Sequence, residues 1–315
     1  MRVLVSTPYI HPVIDRFRPQ FEQHGIELVI PPVDERLEED ELLQWVDEID
    51  GVIAGDDRFT EQVLEQATPR LKAISKWGTG IDSIDRVACE RLGVAVFNTP
   101  NAFTDPVADT VLGYMLAFAR TIPWVDRNMK AGKWQKAGRG STLRENSLGI
   151  IGVGNIGQAV AQRAAAFGMT LYGNDPKMPS EEFLSQTGTQ MVDKETLLRF
   201  CDFISLNCDL NPTSHHLIST AEFAQMKPNA VIINTARGPV IDEAALIDAL
   251  KQQSIAGAAL DVFEHEPLPI DSPLRQMDTV LLSPHDSNRS PQCWEHVHQN
   301  TVQQLIDHLL THKDA

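Results

Sequence analysis

No apolar run in this 315-residue chain approaches the roughly 20 residues that a membrane-spanning helix needs. Met1 to Ile10 is a short strand-like stretch broken by Pro8, with neither the apolar core nor the cleavage site of a signal peptide. Cysteine is scarce. Cys89, Cys201, Cys208 and Cys293 form no CxxC or other metal-ligand spacing, so they read as reduced thiols of a cytoplasmic protein, and no metal is expected. Basic residues are outnumbered, 27 Lys and Arg against 43 Asp and Glu, for a net charge of −16. Such a surface repels a phosphate backbone, which makes nucleic acid a poor partner. A local basic pocket would still admit a small anion. Low-complexity segments are absent, and the only repetition is an alternation of strand and helix.

What is present centres on Ser147 to Pro176. The apolar run Leu148-Gly149-Ile150-Ile151 reads as a buried parallel strand. Gly152-x-Gly154-x-x-Gly157 follows. The first glycine permits a tight turn, the second lets backbone approach a pyrophosphate, and the third lets the next helix pack close. Gln158 to Phe167 supplies that helix, with its N-terminal N–H groups toward the phosphates. A second strand, Thr170 to Gly173, leads to Asp175, 18 residues past the last glycine. A carboxylate there accepts hydrogen bonds from the ribose hydroxyls of NAD and repels the 2′-phosphate of NADP. Lys177, two residues on, leaves NADP open as an alternative.

Five β-branched runs precede this stretch: Val3 to Val5, Leu28 to Ile30, Gly51 to Ala54, Leu71 to Ile74 and Val94 to Phe97. Glu38 to Ile49 and Glu61 to Ala67 have helical spacing between them, which predicts a small open parallel sheet with helices on both faces. Val107 to Arg120 predicts a long apolar helix, expected to be buried between two bodies. Trp124 and Trp134 lie on the excursion after it and suit either an oligomer interface or local packing. Four further runs, Phe203 to Leu206, Ala230 to Ile233, Gly257 to Leu260 and Val280 to Leu282, predict a second, larger parallel sheet. Asp242 to Gln252 is helical, and the terminal helix, Ser290 to His312, is expected to return to the first domain and leave a cleft between the two.

A nicotinamide enzyme must fix its substrate and exchange one proton with the reacting oxygen. In an open α/β sheet such groups sit at the C-terminal ends of strands. Arg237, in the loop after Val231-Ile232-Ile233, has the planar fork that suits a carboxylate. The segment Asp261 to Pro267 offers three acids and a histidine, and Ser283-Pro284-His285 ends another strand. His285 reads equally as a proton donor or as a structural histidine. His308 with His312, and the adjacent His215 and His216, have no defined partner that would make a metal site. In the first domain, Lys76-Trp77-Gly78-Thr79-Gly80 follows a strand, where glycines turn backbone N–H groups outward as an anion nest.

Taken together, KWGTGIDSID, VADTVLGYMLAFAR, LGIIGVGNIGQAVA with YGNDP, INTARGPVIDEAAL, GAALDVFEHEPLP and LLSPH resemble the D-2-hydroxyacid dehydrogenase family along essentially the whole chain. The resemblance implies an α/β protein with a doubly wound Rossmann cofactor domain, residues 100–285, inserted into a smaller flavodoxin-like substrate domain, residues 1–99 plus 286–315. It implies NAD as cofactor, a small anionic 2-hydroxy or 2-oxo acid as substrate, and a homodimer. By the same resemblance Arg237 binds and polarises the substrate, His285 is the acid/base and Glu266 its carboxylate partner. Gly152, Gly154, Asn155, Ile156, Gly157 and Asp175 would hold the cofactor, with Thr235 and Asp261 at the nicotinamide. Lys76, Gly78, Thr79 and Gly80 would hold the substrate.

Within the family the look is nearest to the D-3-phosphoglycerate dehydrogenase branch, where a basic residue often stands at the position of Lys76. Gly55 stands where some members have a second arginine, although Arg58 is nearby. No further C-terminal regulatory domain is expected beyond Ala315. Glyoxylate or hydroxypyruvate reductase is the enzyme alternative, and an NAD-sensing corepressor-type binding protein is the minority one. The chain departs from the family pattern at three places: Asp286-Ser287-Asn288 after the histidine for a usual Ile-Gly, Asp109 for a usual Glu, and Asp209 for a common proline in the adenine pocket. The charge offered to a substrate is expected to depend on which of Lys76, Arg58, Arg139 and Arg289 point inward.

Overall fold

The computed structural model describes residues 1–134, 136 and 140–312. They form two compact units, one of Met1–Phe103 joined by the residues from Ser290 onward, the other Thr104–Arg289. These borders lie a few residues beyond the expected 99 and 285. Phe103 stacks obliquely on Trp77 of the first unit, with ring centroids 5.5 Å apart. Asp286 and Ser287 donate their backbone N–H groups to Asp261 of the second unit. Side-chain packing at one border and backbone anchoring at the other therefore move the division.

In the first unit, β1 (Arg2–Val5), β2 (Glu27–Val29), β3 (Gly51–Ala54), β4 (Ala73–Lys76) and β5 (Ala95–Phe97) make one parallel sheet in the order β2-β1-β3-β4-β5. This is the flavodoxin-like order. β3 and β4 are buried throughout, which explains their apolar character on both faces. The helix Pro291–Thr311 covers one face. Ser290 caps it by accepting the Cys293 N–H, and Pro291 takes the first turn, where a missing N–H costs nothing. Gly51 lets the helix approach, because a Cβ there would stand 3.0 Å from a Leu309 methyl. β4 starts two residues later than the apolar run suggests, so Lys76 is its last residue rather than a loop residue. The expected helix over 38–49 is broken into Glu39–Leu42 and a tighter turn, Val46–Glu48.

The second unit has β6 (Ser147–Ile151), β7 (Thr170–Asn174), β8 (Gln190–Met191), β9 (Phe203–Leu206), β10 (Val231–Asn234), β11 (Gly257–Leu260) and β12 (Val280–Leu282). All pairs are parallel, in the order β12-β11-β10-β9-β6-β7-β8. The chain reverses direction across the sheet at β6, so the ends of β6 and β9 form the topological switch point at which such sheets bind ligands. The long helix Thr104–Ala119 belongs to this unit. Val111, Leu112 and Met115 pack with Val160 and Ala164 of the helix Asn155–Ala166, and this packing accounts for its apolar face. The two-residue edge strand β8 is too short to leave an alternating pattern, and the helix Ile122–Lys130 has no buried residue to mark it.

Candidate active site

The turn from β6 into the helix Asn155–Ala166 is built from three glycines with different reasons. Gly152 has φ +87°, and a Cβ there would lie 2.6 Å from the Cys208 nitrogen. A Cβ on Gly157 would stand 2.1 Å from the Gly152 carbonyl oxygen. Neither position tolerates a side chain. Gly154 is different: its Cβ direction is open, with no atom within 4 Å, which leaves the backbone approachable by a phosphate. Asn155, Ile156 and Gly157 open the helix, whose first N–H groups lack intrahelical partners.

Asp175 follows β7 and fastens this turn. One carboxylate oxygen accepts the Val153 N–H at 2.7 Å and the other the Lys177 N–H at 2.7 Å. Each oxygen retains a lone pair for a ribose hydroxyl. Lys177 contributes its backbone here. At the end of β10, the Thr235 hydroxyl is buried with no partner among the described residues, an orphan that a bound group would satisfy. Open backbone at Gly154, a helix N-terminus, an acid at the second strand end and a waiting hydroxyl together fit a dinucleotide.

The reactive side chains stand at the ends of β10, β11 and β12. Asn234 ties the loop after β10 to itself, accepting the Ala236 N–H at 3.0 Å and donating to the Arg237 carbonyl at 2.9 Å. The Arg237 guanidinium donates to the Ala236 carbonyl at 2.8 Å. Gly238 brings this loop against the one after β11, since a Cβ there would overlap the Phe263 carbonyl at 1.9 Å. Arg237 is thereby held beside the segment that carries Glu266.

His285 follows β12 in a left-handed conformation, φ +51°, which a non-glycine residue adopts only when its surroundings hold it there. The holding group is Asp261. Its backbone carbonyl accepts the His285 N–H at 2.8 Å, and its fully buried carboxylate accepts the N–H groups of Asp286 and Ser287 at 3.0 and 3.1 Å. The ring Nδ1 lies 3.0 Å from a Glu266 oxygen, and the other oxygen accepts the Phe263 N–H at 2.9 Å. Sequence reading of the residues alone left three acids after β11, and the geometry brings Glu266 to the histidine. Asp261 acts here as the clamp of the His285 loop. Tyr114, which sequence reading passed over, sits by Asp261 and Ser283. Burial, reinforced by the Asp261 charge and opposed by a hydrogen bond with Ser283, pushes its hydroxyl up to about 12. A tyrosine on an apolar helix face gives no signal in one sequence.

The departures from the family pattern are locally absorbed. Asp286 accepts the Ser283 hydroxyl at 2.7 Å and pairs with Arg289. Asp109 pairs with Arg163 at 2.6 Å, and the Asp209 side chain is exposed. Trp124 donates to the Asp278 carbonyl at 2.6 Å and packs on Phe118, a local role, whereas Trp134 is 81% exposed. Arg139 lies outside the described residues. All four cysteines are free thiols.

In the first unit, Gly78 has φ +122° and begins the Gly78-Thr79-Gly80 loop after β4. The Thr79 hydroxyl donates to the Thr99 carbonyl at 3.0 Å, and the Gly78 carbonyl accepts the Thr99 N–H at 2.8 Å. Trp77 supports the loop from below: its indole N–H donates to Nδ1 of His298 at 2.9 Å, and its ring stacks on Tyr9 at 4.6 Å. Lys76 is buried. Its ammonium lies 3.2 Å from an Asp56 oxygen and donates to the Trp77 carbonyl at 3.1 Å. Asp57 is buried alongside, accepting the Ser6 hydroxyl and the N–H groups of Leu37 and Gly55. Burial raises the Asp57 carboxyl, against those hydrogen bonds and the Lys76 charge. Arg58 faces Glu38 at 3.9 Å.

A sheet of Rossmann order with a glycine turn at its switch point, and a histidine–carboxylate pair at neighbouring strand ends, defines a nucleotide-dependent enzyme of the dehydrogenase type. Comparison with known proteins gives the particular family. Residues 112–287 match the NAD-binding domain of the D-isomer specific 2-hydroxyacid dehydrogenases. A D-3-phosphoglycerate dehydrogenase of Methanocaldococcus jannaschii is 43% identical over 79% of the chain, which spans only 48% of that relative. A glyoxylate reductase of Thermococcus litoralis is 40% identical over 84% of the chain and 82% of the relative. The crystal structure of a Thermus thermophilus protein superposes with a TM-score of 0.85 at 32% identity, over 99% of this chain and 97% of that one. The chain belongs to the D-isomer specific 2-hydroxyacid dehydrogenase family, and its second unit carries the family's NAD-binding domain. No helix among the described residues is long and apolar enough to cross a membrane.

Proposed function

We propose that the protein interconverts a D-2-hydroxy acid and its 2-oxo acid, and that the acid is unphosphorylated, of the glyoxylate or hydroxypyruvate kind. The His285–Glu266 pair at 3.0 Å carries the first part of this reading. With Nδ1 directed to a carboxylate, the ring passes its proton through Nε2, and Glu266 balances the charge of the protonated ring. NAD, when bound along the Gly152–Gly157 turn and Asp175, supplies or accepts the hydride. Arg237 orients and polarises the 2-oxo acid, and the backbone of Gly78, Thr79 and Gly80 takes its carboxylate. Thr235 offers its buried hydroxyl to the bound cofactor.

The Lys76–Asp56 pair supports the second part. A phosphorylated substrate needs a cation to spare, and the buried cation at this strand end is already partnered. The phosphoglycerate dehydrogenase reading is the second one, favoured by the 43% identity with a relative of that name. The test is the rate of NADH oxidation with glyoxylate, hydroxypyruvate and 3-phosphohydroxypyruvate side by side. Preference for the first two supports the proposal. Strong preference for the third transfers the assignment to the phosphoglycerate branch, and silence on all three sinks the dehydrogenase reading for these acids.

Two further features belong to this proposal. The exposed Ile122, Met129 and Trp134 suit a homodimer contact, checked by light scattering of wild type and Trp134→Glu. Four free thiols suit a reducing, cytoplasmic compartment.

A further inference from the structure

At the C-terminal edge of the first sheet, Lys76 ends β4 and Asp56 follows β3. The two strands pair in parallel with Ala54 opposite Lys76. That register places the Asp56 carboxylate over the ammonium, 3.2 Å away. The pair is asymmetric in exposure. The lysine side chain is 5% exposed and the aspartate 21%, so an arriving anion meets the carboxylate before the cation. The ammonium also lies directly beneath the proposed carboxylate-binding loop. A Cβ built on Gly78 would be 3.7 Å from it. Asp57, which is fully buried and feels the Lys76 charge, adds a second acid. The Lys76 charge therefore faces the carboxylates of both Asp56 and Asp57.

We propose that Asp56 is a charge-selecting residue: by covering and neutralising Lys76 it makes this site reject substrates that carry a phosphate besides their carboxylate. This rests on the dehydrogenase reading above and deepens it. Lys76 keeps its buried position through Asp56 and the Trp77 carbonyl. Removing the Asp56 charge while keeping its shape uncovers an ammonium that an incoming phosphate can pair with, since the partner it would otherwise have to displace is gone.

The test is Asp56→Asn, compared with wild type as full-length protein. The ratio of kcat/KM for 3-phosphohydroxypyruvate over hydroxypyruvate should rise by about tenfold or more, the scale of a partly buried charge contact. The rise should vanish in the double variant Asp56→Asn/Lys76→Met, where two charges leave together and neither is stranded. A second readout needs no turnover: inorganic phosphate should raise the melting temperature of the single variant more than that of wild type. If the wild type turns over none of these acids yet phosphate stabilises Asp56→Asn selectively, the dehydrogenase reading fails and the charge-selecting role stands. A folded Asp56→Asn with an unchanged ratio and no added phosphate stabilisation overturns the proposal, as does a raised ratio that persists without Lys76.

Discussion

Glu266 divides its carboxylate between two partners, Nδ1 of His285 at 3.0 Å and the backbone N–H of Phe263 at 2.9 Å. The second bond fixes the first: the loop after β11 holds the acid, and the acid holds the ring. Substituting Glu266→Gln keeps the size of the side chain and removes the charge that balances a protonated ring. Turnover should fall about 100-fold, within the usual range for general acid–base groups, while NADH binding by fluorescence stays as in wild type. A variant as fast as wild type would leave His285 without need of its partner.

Arg237→Lys keeps a positive charge at the end of β10 and loses the planar fork. A lysine presents a point charge and cannot make two parallel hydrogen bonds to a carboxylate. The expected outcome is a drop of about 10- to 100-fold in kcat/KM for the 2-oxo acid, the scale of one charged hydrogen bond, with unaltered NADH affinity. Steady-state kinetics against both substrates separates the two effects.

Gly238 carries the close approach of the Arg237 loop to the Glu266 segment. A single methyl at that position would overlap the Phe263 carbonyl at 1.9 Å. Backbone cannot give way as a flexible side chain does, so Gly238→Ala should destabilise the protein by about 2 kcal/mol or more. Turnover of the remaining folded protein should also fall, because the two loops are pushed apart. Denaturant melts and specific activity of the purified variant check both.

How much of this was legible beforehand differs from group to group. The glycine turn and Asp175 follow from spacing alone, because strand, turn and helix are contiguous in the chain. Glu266 as the partner of His285 came from family resemblance, since Asp261, Glu264 and Glu266 look alike in a sequence, and only the folded loop turns one toward the ring. Asp261 read as a cofactor contact, and in the structure its carboxylate clamps the backbone of Asp286 and Ser287. Its role depends on N–H groups 25 and 26 residues away, which leave no pattern in composition. Lys76 read as a substrate-binding cation. Its pairing with Asp56 follows once β3 and β4 are known neighbours in register, and strand order is what one sequence supplies least directly.

His298 gives the first unit a pH dependence. Burial lowers its pKa from the ordinary value of about 6.5, a little opposed by the Glu295 charge and helped by Arg16. Its neutral Nδ1 accepts the Trp77 indole N–H. A histidine that resists protonation when folded favours the native state fully above about pH 6.5. Below that the unfolded chain takes up the proton first, and the contribution is lost as pH falls toward the lowered folded value. His298→Asn keeps an acceptor for Trp77 and does not titrate. Its melting temperature should fall less steeply than that of wild type between about pH 7 and 5, and parallel slopes would exclude His298 as the source.

The most direct test of the account is NADH oxidation by wild type and His285→Ala with glyoxylate and hydroxypyruvate, alongside NADH binding by both proteins. Turnover should fall by about a hundredfold to ten-thousandfold with NADH affinity unchanged, because the histidine lies outside the glycine turn proposed to hold the cofactor. Turnover within a few-fold of wild type would remove His285 from the chemistry and contradict the account.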